Sequence, residues 1–197
     1  MHGTIAQELT RYSRRLRPYF VISVALFAAG IVLGVVAVTY HTGMAHRLEQ
    51  SLKGFVEIFR SLSTVQLAGA IFLNNTVKSA AAILLGVFLG VLPVIFLLIN
   101  GAALGAVVYL SIGTRGVWQS TMTILPHGIL ELPAVLCATS IGLMLGSYAI
   151  KRLTGKAHGT LSGEITQAVK FFCAVIVPLL LVAALVEAYL TPLIAKL

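Results

Sequence analysis

Charge is scarce in this sequence. Of its 197 residues only 10% are Asp, Glu, Lys or Arg, whereas an ordinary soluble domain carries roughly a quarter. That shortage excludes an exterior built to face water, because too few polar side chains remain to cover a chain of this size. Cysteine is scarce as well. Cys137 and Cys173 stand singly inside apolar runs, so there is neither a disulfide framework nor a Cys-x-x-Cys metal motif. The His-Glu-x-x-His pattern of zinc peptidases is missing, and no serine or cysteine sits in a nucleophile elbow. No basic stripe interleaved with aromatics occurs either, which argues against nucleic acid as a partner.

What the sequence does have is apolar length. Hydrophobic residues make up 58% of the chain, and the runs are long enough to cross about 30 Å of hydrocarbon at about 1.5 Å per residue. The pattern predicts an all-α, polytopic transmembrane helix bundle forming one integral membrane domain over 1–197. About five spans are expected, at 19–39, 79–99, 102–119, 125–150 and 169–191. The first is preceded by Arg11, Arg14, Arg15 and Arg17; its apolar run is longer than the core of a signal peptide, so it reads as a span that starts behind Pro18. Between 44 and 65, Leu48, Leu52, Phe55, Phe59 and Leu62 recur at spacings of three and four among charged residues. That is the stripe of an amphipathic surface helix.

Proline and glycine punctuate these runs. Pro93 and Pro178 predict kinks within spans, and Asn100-Gly101 reads as a tight turn between two of them. The run behind it is short, so it either continues toward Gln119 or forms a re-entrant half-helix. Basic residues favour the first course. The N-terminal arm carries four arginines and the loop before the last span carries Lys151, Arg152 and Lys156. Both belong on the cytoplasmic side, which requires an even number of crossings between them. The N-terminus is therefore expected inside and the C-terminus outside, in the cell membrane. Four glycine pairs at i, i+4 spacing (Gly30 and Gly34, Gly86 and Gly90, Gly101 and Gly105, Gly142 and Gly146) predict close helix packing.

Ionisable groups inside spans are costly and mark candidate sites. His127 and Glu131 lie four apart on one helix face, toward the same end as Asn74, Asn75 and Lys78 in the second span. These five form a candidate polar cluster, with Arg115 as a further partner. Three roles are open to it: holding helices in register, binding or transporting a polar solute or ion, and metal-assisted hydrolysis. One histidine and one carboxylate supply only two of the three or four ligands that zinc needs. No metal or other cofactor is expected.

Three stretches carry a resemblance. Asn74-Asn75, then Asn100-Gly101-Ala-Ala-Leu-Gly105, and then Pro126-His127-Gly128-Ile-Leu-Glu131-Leu132-Pro133 resemble the stage II sporulation protein M family of integral membrane proteins. The resemblance implies a multi-pass membrane protein, and in spore formers a membrane anchor for peptidoglycan-degrading partners during engulfment. It also marks Asn74, Asn75, Asn100, His127, Gly128 and Glu131 as motif positions, with Asn100, Gly101 and Gly128 expected in turns or packing. The expectation is a non-enzymatic protein that recruits envelope partners within the lipid bilayer. A homo-oligomer is also open, and the alternative function is a small-solute or ion transporter or channel.

Overall fold

The computed structural model describes residues 5–41, 43, 50, 62–156 and 159–194, with the backbone alone at 5, 123–127, 130 and 190–194. The chain is a bundle of helices: α1 (Ile5–Tyr40), α2 (Thr64–Leu85), α3 (Val91–Arg115), α4 (Val117–Leu153), α5 (Leu161–Phe171) and α6 (Val177–Ile194), with a π-helical turn, Phe172–Ile176, joining the last two. Five helical stretches are long and apolar enough to cross a membrane. The expected class and the number of spans hold. Most of the segment expected to be amphipathic, 44–65, lies outside the described residues; its last two residues already belong to α2.

Span boundaries differ from the sequence reading at three places, each for a local reason. α1 does not start behind Pro18 but runs through it from Ile5, because Tyr12 and Leu16 upstream are buried against the core. The second span starts at Thr64, where Ser63 caps the helix: the Gln66 N–H donates to Ser63 Oγ and the Ser63 N–H donates to Gln66 Oε1. The break expected at Asn100-Gly101 occurs instead at 86–90. Asn100 stays helical and turns its side-chain amide back on the Phe96 carbonyl at 2.8 Å. α3 then runs to Arg115 as a full helix rather than a half-helix, and a single residue, Gly116 at φ 82°, joins it to α4. The fourth helix thus begins at Val117 and not at 125.

The π turn has its cause in Pro178. A proline lacks the N–H and its ring crowds the carbonyl four residues back, and here the backbone widens just ahead of it, with the Val177 N–H donating to the Phe172 carbonyl. The expected kink is therefore a bulge, after which α6 continues.

The glycine pairs mate two by two. A β-carbon on Gly30, Gly34, Gly101 or Gly105 would come within 3.0 Å of backbone on the opposite helix, so α1 and α3 touch main chain to main chain. Gly86, Gly142 and Gly146 do the same for α2 and α4, with Gly90 in the turn beyond α2 lying against Gly146. In both pairs the residue numbers rise together, so each pair is parallel. Removal of side chains at such a seam lets backbones approach and gain dispersion contacts that lipid does not match. α4 is the central helix, with 61% of its apolar window buried against 28% for the others. It meets α1 through a hydrogen bond between the fully buried hydroxyls of Ser140 and Ser23, at 3.0 Å.

One end of the bundle is basic and tied together. Arg15 grips both carboxylate oxygens of Glu164 at 2.9 and 2.8 Å and reaches Gln167 at 3.2 Å, while Lys170 lies 3.7 Å from Glu8. Tyr12 stacks at a tilt on Phe171, with ring centroids 5.1 Å apart. The N-terminal arm and the start of α5 thus occupy the same end, as an even number of crossings between them requires.

Candidate functional site: a polar level between two parallel helices

Along α2 and its C-cap the buried residues Asn75, Ser79, Ala82 and Gly86 recur at spacings of four, three and four, one stripe of a helix. The lower members of that stripe touch Gly142 of α4. Asn75 stands eleven residues ahead of Gly86, and Glu131 stands eleven residues ahead of Gly142. Eleven residues are close to three full turns at about 3.6 residues per turn, so each residue shares its stripe with the glycine below it. The helices being parallel, Asn75 and Glu131 lie at one level on facing surfaces. Both are only 7% exposed.

The remaining members of the expected cluster are distributed differently. Asn74 is exposed and donates its amide hydrogen to Asn75 Oδ1 at 3.2 Å, which orients the neighbouring carboxamide. Lys78, one turn below Asn74, is exposed rather than in the seam, and Arg115 is exposed at the end of α3. His127 belongs to α4 by its backbone, and its side chain lies outside the described residues. Gly101 packs as expected, although within a helix. Among the described residues Gly128 does not pack on a neighbouring helix: a β-carbon there would meet Leu132 of its own helix. It lines an apolar groove between α3 and α4 with Val108, Ile112, Ser120 and Thr121. Among the described residues no three His, Cys, Asp or Glu side chains gather.

Two polar contacts escape a reading of the sequence. Ser23 and Ser140 are 117 positions apart, and nothing local marks either as a partner. Arg15 and Glu164 are 149 apart; only their opposite charge at the same end of the bundle hinted at a meeting.

What the Asn75–Glu131 level can do follows from its chemistry. A carboxyl held out of water at the level of a carboxamide can fix two helices in register through hydrogen bonds, or it can take up a proton or a cation.

The model of the stage II sporulation protein M family matches residues 23–192. The chain belongs to that family. The match takes in every helix from the second half of α1 onward, including both glycine seams and the Asn75–Glu131 level. An uncharacterized protein of Methanocaldococcus jannaschii is 24% identical over 177 residues, covering 89% of this chain and 94% of that protein. No solved structure matches the chain significantly.

Proposed function

We propose that this stage II sporulation protein M family member is a non-enzymatic organiser that holds protein partners in the envelope. In this reading it sits in the cell membrane with its N-terminus in the cytoplasm and its C-terminus outside. The observation that carries the proposal is the pair of glycine seams. Backbone-to-backbone packing between α1 and α3 and between α2 and α4 leaves little room for one pair to slide on the other. A frame of that kind is suited to presenting a fixed surface. The buried polar groups, from Ser23 and Ser140 to Asn75 and Glu131, then serve to set helix register. All four glycine pairs are engaged within the chain, so self-association would use other faces.

Photo-crosslinking in native membranes tests this reading. Labels at exposed positions such as Leu73 and Val77 on α2 are expected to trap one specific protein. Labelling of lipid alone from every exposed face would sink it.

A second reading is favoured by one observation, the burial of Glu131 at the level of Asn75. A transporter or channel for a small solute or ion would use such a carboxyl as its binding group. Reconstituted vesicles showing flux that Glu131→Gln abolishes would establish it, and absence of flux with and without a proton gradient would remove it.

A further inference from the structure

The turn between α2 and α3 is unlike a turn made for water. No charged residue occurs between Lys78 and Arg115, and the turn itself reads Leu84-Leu85-Gly86-Val87-Phe88-Leu89-Gly90-Val91. Most of its side chains point outward: Phe88 is 65% exposed, and Leu84, Leu89 and Val91 are exposed with it, while Val87 packs on the core. A loop in water would carry Asn, Asp, Ser or a charge at such positions.

Most backbone donors of the turn are satisfied within it. The N–H groups of residues 86 to 91 all donate within the turn: Gly86 to the Ile83 carbonyl, Val87 to Leu84, Phe88 to Leu85, Leu89 to Val87, Gly90 to Gly86 and Val91 to Phe88, at 2.8 to 3.4 Å. Pro93, in the first turn of α3, has no N–H to satisfy. Surface loops leave such donors to water. Backbone in hydrocarbon must satisfy them internally.

Leu89 supplies a third observation. It holds φ 57°, the left-handed region that glycine and asparagine adopt most readily. An apolar residue stands where a polar turn residue would be less strained.

The depth agrees. Gly90 lies against Gly146 of α4, five residues short of Lys151, which at about 1.5 Å per residue places the turn about 7 Å inside the basic ring. Along the parallel α1–α3 seam the same level falls near Tyr19, just inside Arg17.

We propose that residues 84–92 are seated among lipid acyl chains just beneath the headgroups at the basic end of the bundle. α2 and α3 then form a hairpin that enters from the opposite side and returns without exposing a loop to water. The partner of this surface is the hydrocarbon of the nearer leaflet.

The test uses the full chain in lipid vesicles with Cys137 and Cys173 replaced by alanine and a nitroxide attached at Phe88→Cys. Neither Phe88 nor the reference site, Leu153→Cys at the exposed end of α4, is part of the core. The label at 88 is expected to collide several-fold more with dissolved oxygen than with a water-soluble nickel chelate, and the label at 153 to show the reverse. Nickel collision at 88 equal to that at 153 would overturn the proposal. A second label at Leu84→Cys must follow the one at 88; chelate access there overturns it equally.

Discussion

Asn75 and Glu131 stand at one level on two parallel helices, each eleven residues above the glycine crossing of Gly86 with Gly142. The crossing sets the spacing of the helices, and the two polar residues share a level because both stripes repeat at the same period. Replacement of Glu131 by Gln and of Asn75 by Ala, singly and together, measures what that level contributes. If it holds the helices in register, both single variants melt lower in detergent, with Glu131→Gln losing on the order of 1 kcal/mol and a coupling of about 0.6 kcal/mol between the two. Additive losses would show that the residues act independently.

The glycine seams make a sharper prediction. Gly142→Ala places a methyl group against the Ala82 carbonyl and the Pro93 ring, and Gly34→Ala places one against the Ala102 backbone. Each should cost about 1–3 kcal/mol, because backbone cannot move aside as a flexible side chain would. Gly69→Ala and Gly113→Ala meet nothing within 4 Å, and in helix interiors they should gain up to about 1 kcal/mol. Thermal melts of the four variants in one detergent decide the matter. Equal effects in both groups would contradict the seam.

At the basic end, Arg15→Lys keeps the charge and removes the planar guanidinium whose Nη2 holds both oxygens of Glu164 while its Nη1 reaches Gln167. The Arg15 side chain is partly exposed, so the loss should stay below about 1 kcal/mol and shrink as salt is raised. A melt at low and high ionic strength reads it, and a salt-independent loss would mean that packing rather than charge is at stake.

Leu89 lends itself to a paired substitution. Leu89→Gly removes the β-carbon that makes φ 57° unfavourable and should raise stability by up to about 1 kcal/mol. Leu89→Asn also tolerates that geometry, but it adds an amide to a site that the structure keeps apolar. It should therefore be less stable than the glycine variant in vesicles. Equal stability of the two variants would indicate that water reaches the turn.

The same turn explains where the sequence misled. Membrane character, helix number and the mating glycines are visible in one chain because each is a matter of composition or spacing. The α2–α3 break was misplaced because turn chemistry is learned from water, where Asn-Gly marks a reversal. Here Asn100-Gly101 lies within a helix, with the amide folded onto its own backbone and the glycine in a seam, while the actual turn uses Leu89 and Gly90. Two signals were available: the Ser63-x-x-Gln66 cap, which starts α2, and Pro93, three residues behind Gly90 at the head of a helix. The candidate site was half legible. Spacing placed His127 and Glu131 on one helix, and the register between α2 and α4 was needed to separate Asn75, which faces the seam, from Lys78, which is exposed.

The seams join the first transmembrane helix to the third and the second to the fourth, so sequential neighbours are not the closest partners. During synthesis α1 must wait for Gly101, 71 residues after Gly30, about 4–14 s at ordinary elongation rates. α2 waits similarly for α4. A nascent chain halted after α2 has neither seam, and one halted after α3 has the first but leaves the α2 face unmatched. The bundle therefore closes late and from the carboxyl-terminal half, which makes a truncation within α4 costlier to the whole than the loss of that helix's own length would suggest.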